Sequence, residues 1–169
     1  MLRLFVMRHA KSSWAVPGAR DFDRLLNKRG KKDLEKLTIA LQERNYRPEV
    51  VLCSSAERTR RTYHGIAEAI PESSKVSFTE KLYSSGMDDY IALIQGQDTG
   101  ESIMIIGHNP MCGNLALTMA GFGDQHLLDE ISYKYPTGTI AVIDFPCTEW
   151  REVEMGSGTL TDCIIPSTL

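Results

Sequence analysis

The 169-residue chain has the length of one ordinary domain, and with 42% hydrophobic and 24% charged residues it can bury a core without disulfide or metal staples. Its net charge of −3 is unevenly spread: residues 1–61 carry fifteen Lys and Arg against seven Asp and Glu, and residues 62–169 carry four against fifteen. That pattern excludes a uniformly basic nucleic-acid binder and points to a local anion site in the first third. The four cysteines, at 53, 112, 147 and 163, form no C-x-x-C pair and no His stands at zinc-finger spacing, so no metal site or redox pair is expected. The apolar start, Leu2 to Met7, is too short for a signal peptide, and no apolar run approaches membrane-spanning length. The chain therefore reads as a cytoplasmic protein with no membrane or nucleic-acid partner, and it carries no signal for oligomeric state.

Leu2 to Met7 is an almost unbroken apolar run that ends at Arg8, the mark of a strand buried on both faces of a parallel sheet. Lys28 to Tyr46 has helical periodicity, with Asn27 placed as N-cap. Val50 to Cys53 is a second buried strand, followed by a helix that Ser54 or Ser55 caps and Pro71 stops. Lys75 to Thr79 alternates as a short strand, and Asp88 to Ile94 has helical spacing. Ser102 to Ile106 is a third buried strand, leading through Gly107-His108-Asn109-Pro110 into a helix over Met111 to Ala120 that Gly121 ends. Thr139 to Phe145 and Glu149 to Met155 read as two further strands joined by a turn at Pro146, with Gly156 to Leu169 as a turn-rich trailing segment. Alternating strands and helices predict a single α/β domain over residues 1–169, a three-layer α/β/α sandwich with a mainly parallel central sheet.

In such sheets ligands sit beyond the carboxyl ends of the strands, where the following helices present their N-termini. Three strand ends deliver Arg8-His9, Arg58 and Gly107-His108-Asn109 to that edge. Two guanidinium forks and two imidazoles make an oxyanion site, and phosphate is the natural occupant.

Those segments carry a family resemblance. Arg8-His9-Ala10-Lys11-Ser12 resembles the Arg-His-Gly signature of the histidine phosphatase superfamily, with Ala10 in place of the usual Gly. Ser54-Ser55-Ala56-Glu57-Arg58-Thr59-Arg60-Arg61-Thr62 resembles its second arginine motif, and Gly107-His108-Asn109-Pro110 its second histidine motif. The opening Met7 to Trp14 and the run Asp23-Arg24-Leu25-Leu26-Asn27-Lys28-Arg29-Gly30 are similar to the SixA-type phosphohistidine phosphatase branch, with Leu25 where that branch usually has Pro. The resemblance spans roughly residues 2 to 145 and implies a phosphoglycerate mutase-like fold.

It also implies roles. His9 is the nucleophile that forms a phosphohistidine enzyme, and it must be neutral to attack, which its arginine neighbours favour. Arg8 and Arg58 hold the non-bridging oxygens and His108 donates a hydrogen bond to the phosphoryl group. Ser12 and Asn109 are candidate substrate contacts, and no cofactor or metal is expected. The general acid is left open among Glu80, Asp88 and Asp89. The short span between Thr79 and Glu101 leaves no room for a walled-in substrate, so an open site reachable by a phosphorylated protein is expected. A small phosphorylated metabolite, phosphoserine or phosphothreonine are the alternative substrates, and a non-catalytic phosphate-binding module is the alternative of another class. Lys11, Arg20, Arg24, Lys28 and Arg29 form a candidate steering surface for an acidic phosphoprotein.

Overall fold

A computed structural model describes residues 1–14 and 16–169. Seven strands form one sheet in the order β3-β2-β4-β1-β6-β7-β5. The strands are β1 (Leu2–Arg8), β2 (Val50–Ser54), β3 (Lys75–Thr79), β4 (Ser102–Gly107), β5 (Ala120–Gly123), β6 (Ile140–Phe145) and β7 (Gly158–Ile164). Neighbours pair in parallel except where β6 lies between β1 and β7, antiparallel to both. The sheet is thus mainly parallel and carries helices on both faces, as expected.

Alternation along β1 shows why its apolar run is continuous. Phe5 and Met7 face a cluster with Leu34, Leu37 and Leu41 of helix α1 (Lys28–Glu43) and Ile66 of α2 (Glu57–Ile66). Leu2, Leu4 and Val6 face the opposite layer. There they meet Tyr90 and Ile94 of α4 (Met87–Gln95), Leu115 and Met119 of α5 (Met111–Met119), and Ile131 of α6 (Gln125–Tyr133). Successive strand residues point to opposite faces, so burial of both faces demands apolar residues throughout. A short helix, α3 (Lys81–Ser84), links β3 to α4.

Two expectations need correction. Glu149 to Met155 is not a strand: Trp150–Glu152 is a 3₁₀ turn closed by a reciprocal capping box between Glu149 and Glu152. Buried Trp150 anchors that turn by donating from Nε1 to the Gly100 carbonyl, 2.9 Å. The last strand is instead β7, within the segment read as turn-rich; Leu160 and Ile164 turn inward while Thr159 and Thr161 face out. Helix α5 stops just before Gly121, as expected, and residues 120–123 then add strand β5 beside β7. A Cβ at Gly121 would run into the Gly156 carbonyl, so glycine is needed for that close approach.

Strands β1, β2, β3 and β4 are mutually parallel, so their carboxyl ends share one edge. Arg8 pairs with Gly107 and Ser54 with Thr79 in the registers there. The next residues along the chain, His9, Ser55, Glu80 and His108, leave the sheet together.

Candidate active site

His9 and His108 face one another with ring centroids 5.4 Å apart and planes tilted by 54°. The backbone enforces that closeness, since His9 N–H donates to the Gly107 carbonyl, 3.0 Å. Both imidazoles are buried. His9 Nδ1 lies 2.7 Å from the Ala10 carbonyl oxygen. A carbonyl can only accept, so Nδ1 carries the proton and Nε2 holds the free lone pair. Burial, reinforced by the charges of Arg58, Arg8 and Arg24, outweighs that hydrogen bond and pushes the His9 pKa down to about 4. Burial is therefore the leading cause of a neutral ring, ahead of the arginine pair to which the sequence pointed.

His108 Nε2 stands 2.8 Å from Ser54 Oγ, and Nδ1 has no partner among the described residues. Ser54 Oγ accepts from Ala56 N–H, 3.3 Å, and its own proton has no other acceptor among the described residues. The hydroxyl therefore donates to Nε2, leaving the His108 proton on Nδ1. Burial and the nearby His9 and Arg58 push the His108 pKa down to about 3.

Arg58 is buried on α2 and donates Nη1 to the Asp21 carbonyl, 2.8 Å, and Nη2 to Asp21 Oδ2, 3.1 Å. Arg8 donates Nη1 to the Tyr135 carbonyl, 3.0 Å. The Nε atoms of both arginines are buried without an acceptor among the described residues. Four sequence-expected residues thus converge: Arg8, His9, Arg58 and His108.

The other expected residues fall less centrally. Ser12 Oγ accepts from Arg24 Nη2, 2.7 Å. Asn109 is spent on framework, its amide donating to the Tyr135 carbonyl and its oxygen capping Gly113 N–H. Glu80 and Asp88 are exposed, and neither carboxylate pairs with the four central residues. Asp88 lines a surface groove with Ile91, Gln95 and Val153. Arg60 stacks on Phe78 and Arg61 pairs with Glu57, so both lie outside the cluster. Cys112 is fully buried with its thiol pushed up to about 12 by burial, an inert packing residue.

Sequence reasoning missed Asp21. Its carboxylate takes Arg24 Nη1 at 2.9 Å and the Tyr83 hydroxyl at 2.9 Å besides Arg58. Burial pushes the Asp21 pKa up, but hydrogen bonds from Arg24 and Tyr83 and the charge of Arg58 prevail and hold it at about 2. Tyr83, edge-on to His108 at 5.5 Å, completes this side of the site. Tyr135 is a buried brace: its hydroxyl donates to the Val6 carbonyl while its own carbonyl takes Arg8 and Asn109. Asp21 lies outside every motif-like run, and Tyr135 reads in sequence as one more aromatic.

A buried neutral imidazole with a free lone pair, next to two guanidinium groups and a second imidazole, has the parts that phosphoryl transfer through histidine requires. The family comparison agrees: residues 4–90 match the model of the histidine phosphatase superfamily, branch 1, and the chain belongs to that superfamily and is a phosphatase. Its likeness within the superfamily is to SixA proteins. The protein assigned as phosphohistidine phosphatase SixA in Agrobacterium tumefaciens is 31% identical, with a TM-score of 0.83 over 98% of each chain. A protein histidine phosphatase SixA solved with tungstate, 20% identical, shares the fold at a TM-score of 0.78 over 99% of each chain. The uncharacterised protein ML1117 of Mycobacterium leprae is 34% identical over 95% of this chain and 99% of its own length.

Proposed function

We propose that this phosphatase removes phosphate from phosphohistidine in a protein, through a phosphohistidine intermediate on His9. The observation that carries the substrate class is the state of Asp21. Among the described residues it is the one carboxylate bonded to the central set, and Arg58, Arg24 and the Tyr83 hydroxyl all donate to it, which favours its ionised form over a proton-donating one. An alkyl ester would need that proton, because an alkoxide is a poor leaving group. Phosphohistidine does not: once its second ring nitrogen is protonated the imidazole leaves neutral, with a conjugate-acid pKa of roughly 6.5.

In the first step His9 Nε2 attacks phosphorus and the P–N bond of the substrate breaks, its electron pair returning to the departing imidazole. Arg8, Arg58 and the Nδ1–H of His108 offer donors to the non-bridging oxygens as charge shifts onto them. In the second step water attacks the phosphoryl group on His9, releasing inorganic phosphate and restoring the neutral ring. The Ala10 carbonyl holds the His9 tautomer throughout, so no ring flip is required.

The test is the ratio of kcat/KM for a phosphohistidine peptide to that for a panel of sugar phosphates and phosphoserine peptides, with magnesium chelated. Preference for phosphohistidine by at least a hundredfold is expected. Preference for the esters by a similar factor overturns the substrate class.

A further inference from the structure

A second cationic recess adjoins the phosphoryl site. A cavity of about 340 Å³ opens between the segment after β1, the start of α1 and the turn after α6, and Arg8, Lys11, Arg29, Asp33 and Lys134 line it. Arg8 belongs to both recesses, and its hold on the Tyr135 carbonyl ties it to the residue after Lys134. On the other wall the Lys11 carbonyl accepts from Asn27 N–H, 3.1 Å, at the N-cap of α1, which fixes Lys11 beside Arg29. Gly30 lets that approach happen, since a Cβ there would collide with the Lys11 carbonyl. The first turn of α1 carries no acidic residue, so the helix end adds to the positive potential.

Charge pairing shows which cations remain available. Of the surface expected from sequence, Arg20 pairs with Asp23, Arg24 with Asp21 and Arg29 with Asp33. Lys11 and Lys134 are exposed and have no ion-pair partner among the described residues. Lys134 comes from the acidic part of the chain and completes the recess from the far side.

We infer that this recess receives carboxylate side chains flanking the phosphorylated histidine of the substrate protein. The inference rests on the phosphohistidine-protein reading and adds a specificity site to it. Two lysine point charges on flexible stems, without a fixed fork, suit carboxylates displayed at variable positions along a protein better than one rigidly placed second phosphate. The shared Arg8 sets the two anions side by side, phosphoryl against His9 and carboxylate against Lys11 and Lys134.

The experiment compares two phosphohistidine peptides, one with Asp and Glu around the histidine and one with Asn and Gln, plus free phosphoramidate. The parent enzyme should favour the acidic peptide about tenfold in kcat/KM, through KM, and lose that preference at high salt as exposed charges are screened. Lys11→Gln with Lys134→Gln should abolish the preference and leave phosphoramidate turnover within about twofold. Equal use of both peptides by the parent, or an equal drop on all three substrates in the double variant, overturns the inference. If neither peptide is hydrolysed, the phosphohistidine reading fails by itself. The two peptides, unphosphorylated, are then compared as inhibitors of p-nitrophenyl phosphate hydrolysis; stronger, lysine-dependent inhibition by the acidic one upholds the recess and equal inhibition overturns it.

Discussion

Ser54→Ala is the sharpest probe of how the site is held. Ser54 is wholly buried at the end of β2, and its hydroxyl serves two groups: His108 Nε2 at 2.8 Å and Ala56 N–H at 3.3 Å. Alanine fits the space but leaves both without a partner. An unpaired buried polar group costs about 1–3 kcal/mol, and the longer contact belongs at the low end, so the loss sums to roughly 2–3 kcal/mol. With a urea m-value of about 2 kcal/mol/M, the unfolding midpoint should fall by roughly 1–1.5 M. Turnover should fall as well, because the hydroxyl sets both the tautomer and the tilt of His108. Small misplacements of a catalytic group cost up to about 10²-fold, and a 10–100-fold drop in kcat with a smaller change in KM is expected. Thr59→Val is the control: its hydroxyl donates to the Ser54 and Ala56 carbonyls at 2.7 and 2.8 Å and does not touch His108. It should lower the urea midpoint and spare kcat. Parent-like stability and kcat in Ser54→Ala, or an equal kcat loss in both variants, would refute this reasoning.

Four other outcomes follow from the same geometry. In an NMR titration His9 should stay neutral, as the Nδ1–H tautomer, until the pH approaches about 4; protonation between pH 6 and 7 would contradict its burial. Its folded pKa lies below the ordinary 6.5, so the native state binds fewer protons than the unfolded chain, and this part of the stability is full above about pH 6.5 and lost as pH falls through about 4, which urea unfolding at a series of pH values reads directly. Gly107→Ala would put a Cβ 2.6 Å from the hydroxyl oxygen of fully buried Tyr90, which accepts from His108 N–H; a loss of about 1–3 kcal/mol from overpacking, with reduced kcat, is expected in unfolding and turnover assays. Asp21→Asn should retain turnover of phosphohistidine within about tenfold and strengthen inhibition by inorganic phosphate, whereas a loss of about 10²–10⁴-fold would identify Asp21 as a proton donor after all.

Much of this architecture is legible in the sequence because the physics is local. The continuous apolar runs of β1, β2 and β4 can only be buried on two faces, and parallel strands bring their carboxyl ends together, so Arg8, His9, Arg58 and His108 meet without any side-chain information. The Asn27 cap is equally local, its side chain accepting from Gly30 N–H. What escapes is set by long-range partners. Residues 158–164 carry polar Thr159, Thr161 and Asp162 and become a strand because β6 offers an edge to pair with. Residues 150–152 give up extended structure because Trp150 is pulled inward toward Gly100. Asp21 and Tyr83 stand 62 positions apart and meet only through the packing of the segment after β1 against α3. Glu80 and Asp88, the candidate acids from the segment before β4, make no bond to the four central residues. The carboxylate at the centre comes instead from Asp21, in a turn of 3₁₀ helix just before the motif-like run that starts at Asp23.

The central claim is that His9 Nε2 carries the phosphoryl group during turnover. Rapid-quench trapping with a phosphohistidine peptide and magnesium chelated, under alkaline conditions that preserve phosphohistidine, followed by mass spectrometry of the digested enzyme, reads this directly. The account predicts phosphate on the peptide containing His9, formed and lost at rates compatible with kcat, and neither phosphoenzyme nor turnover in His9→Ala. Turnover by His9→Ala comparable to the parent, or phosphate trapped on another residue, would contradict it.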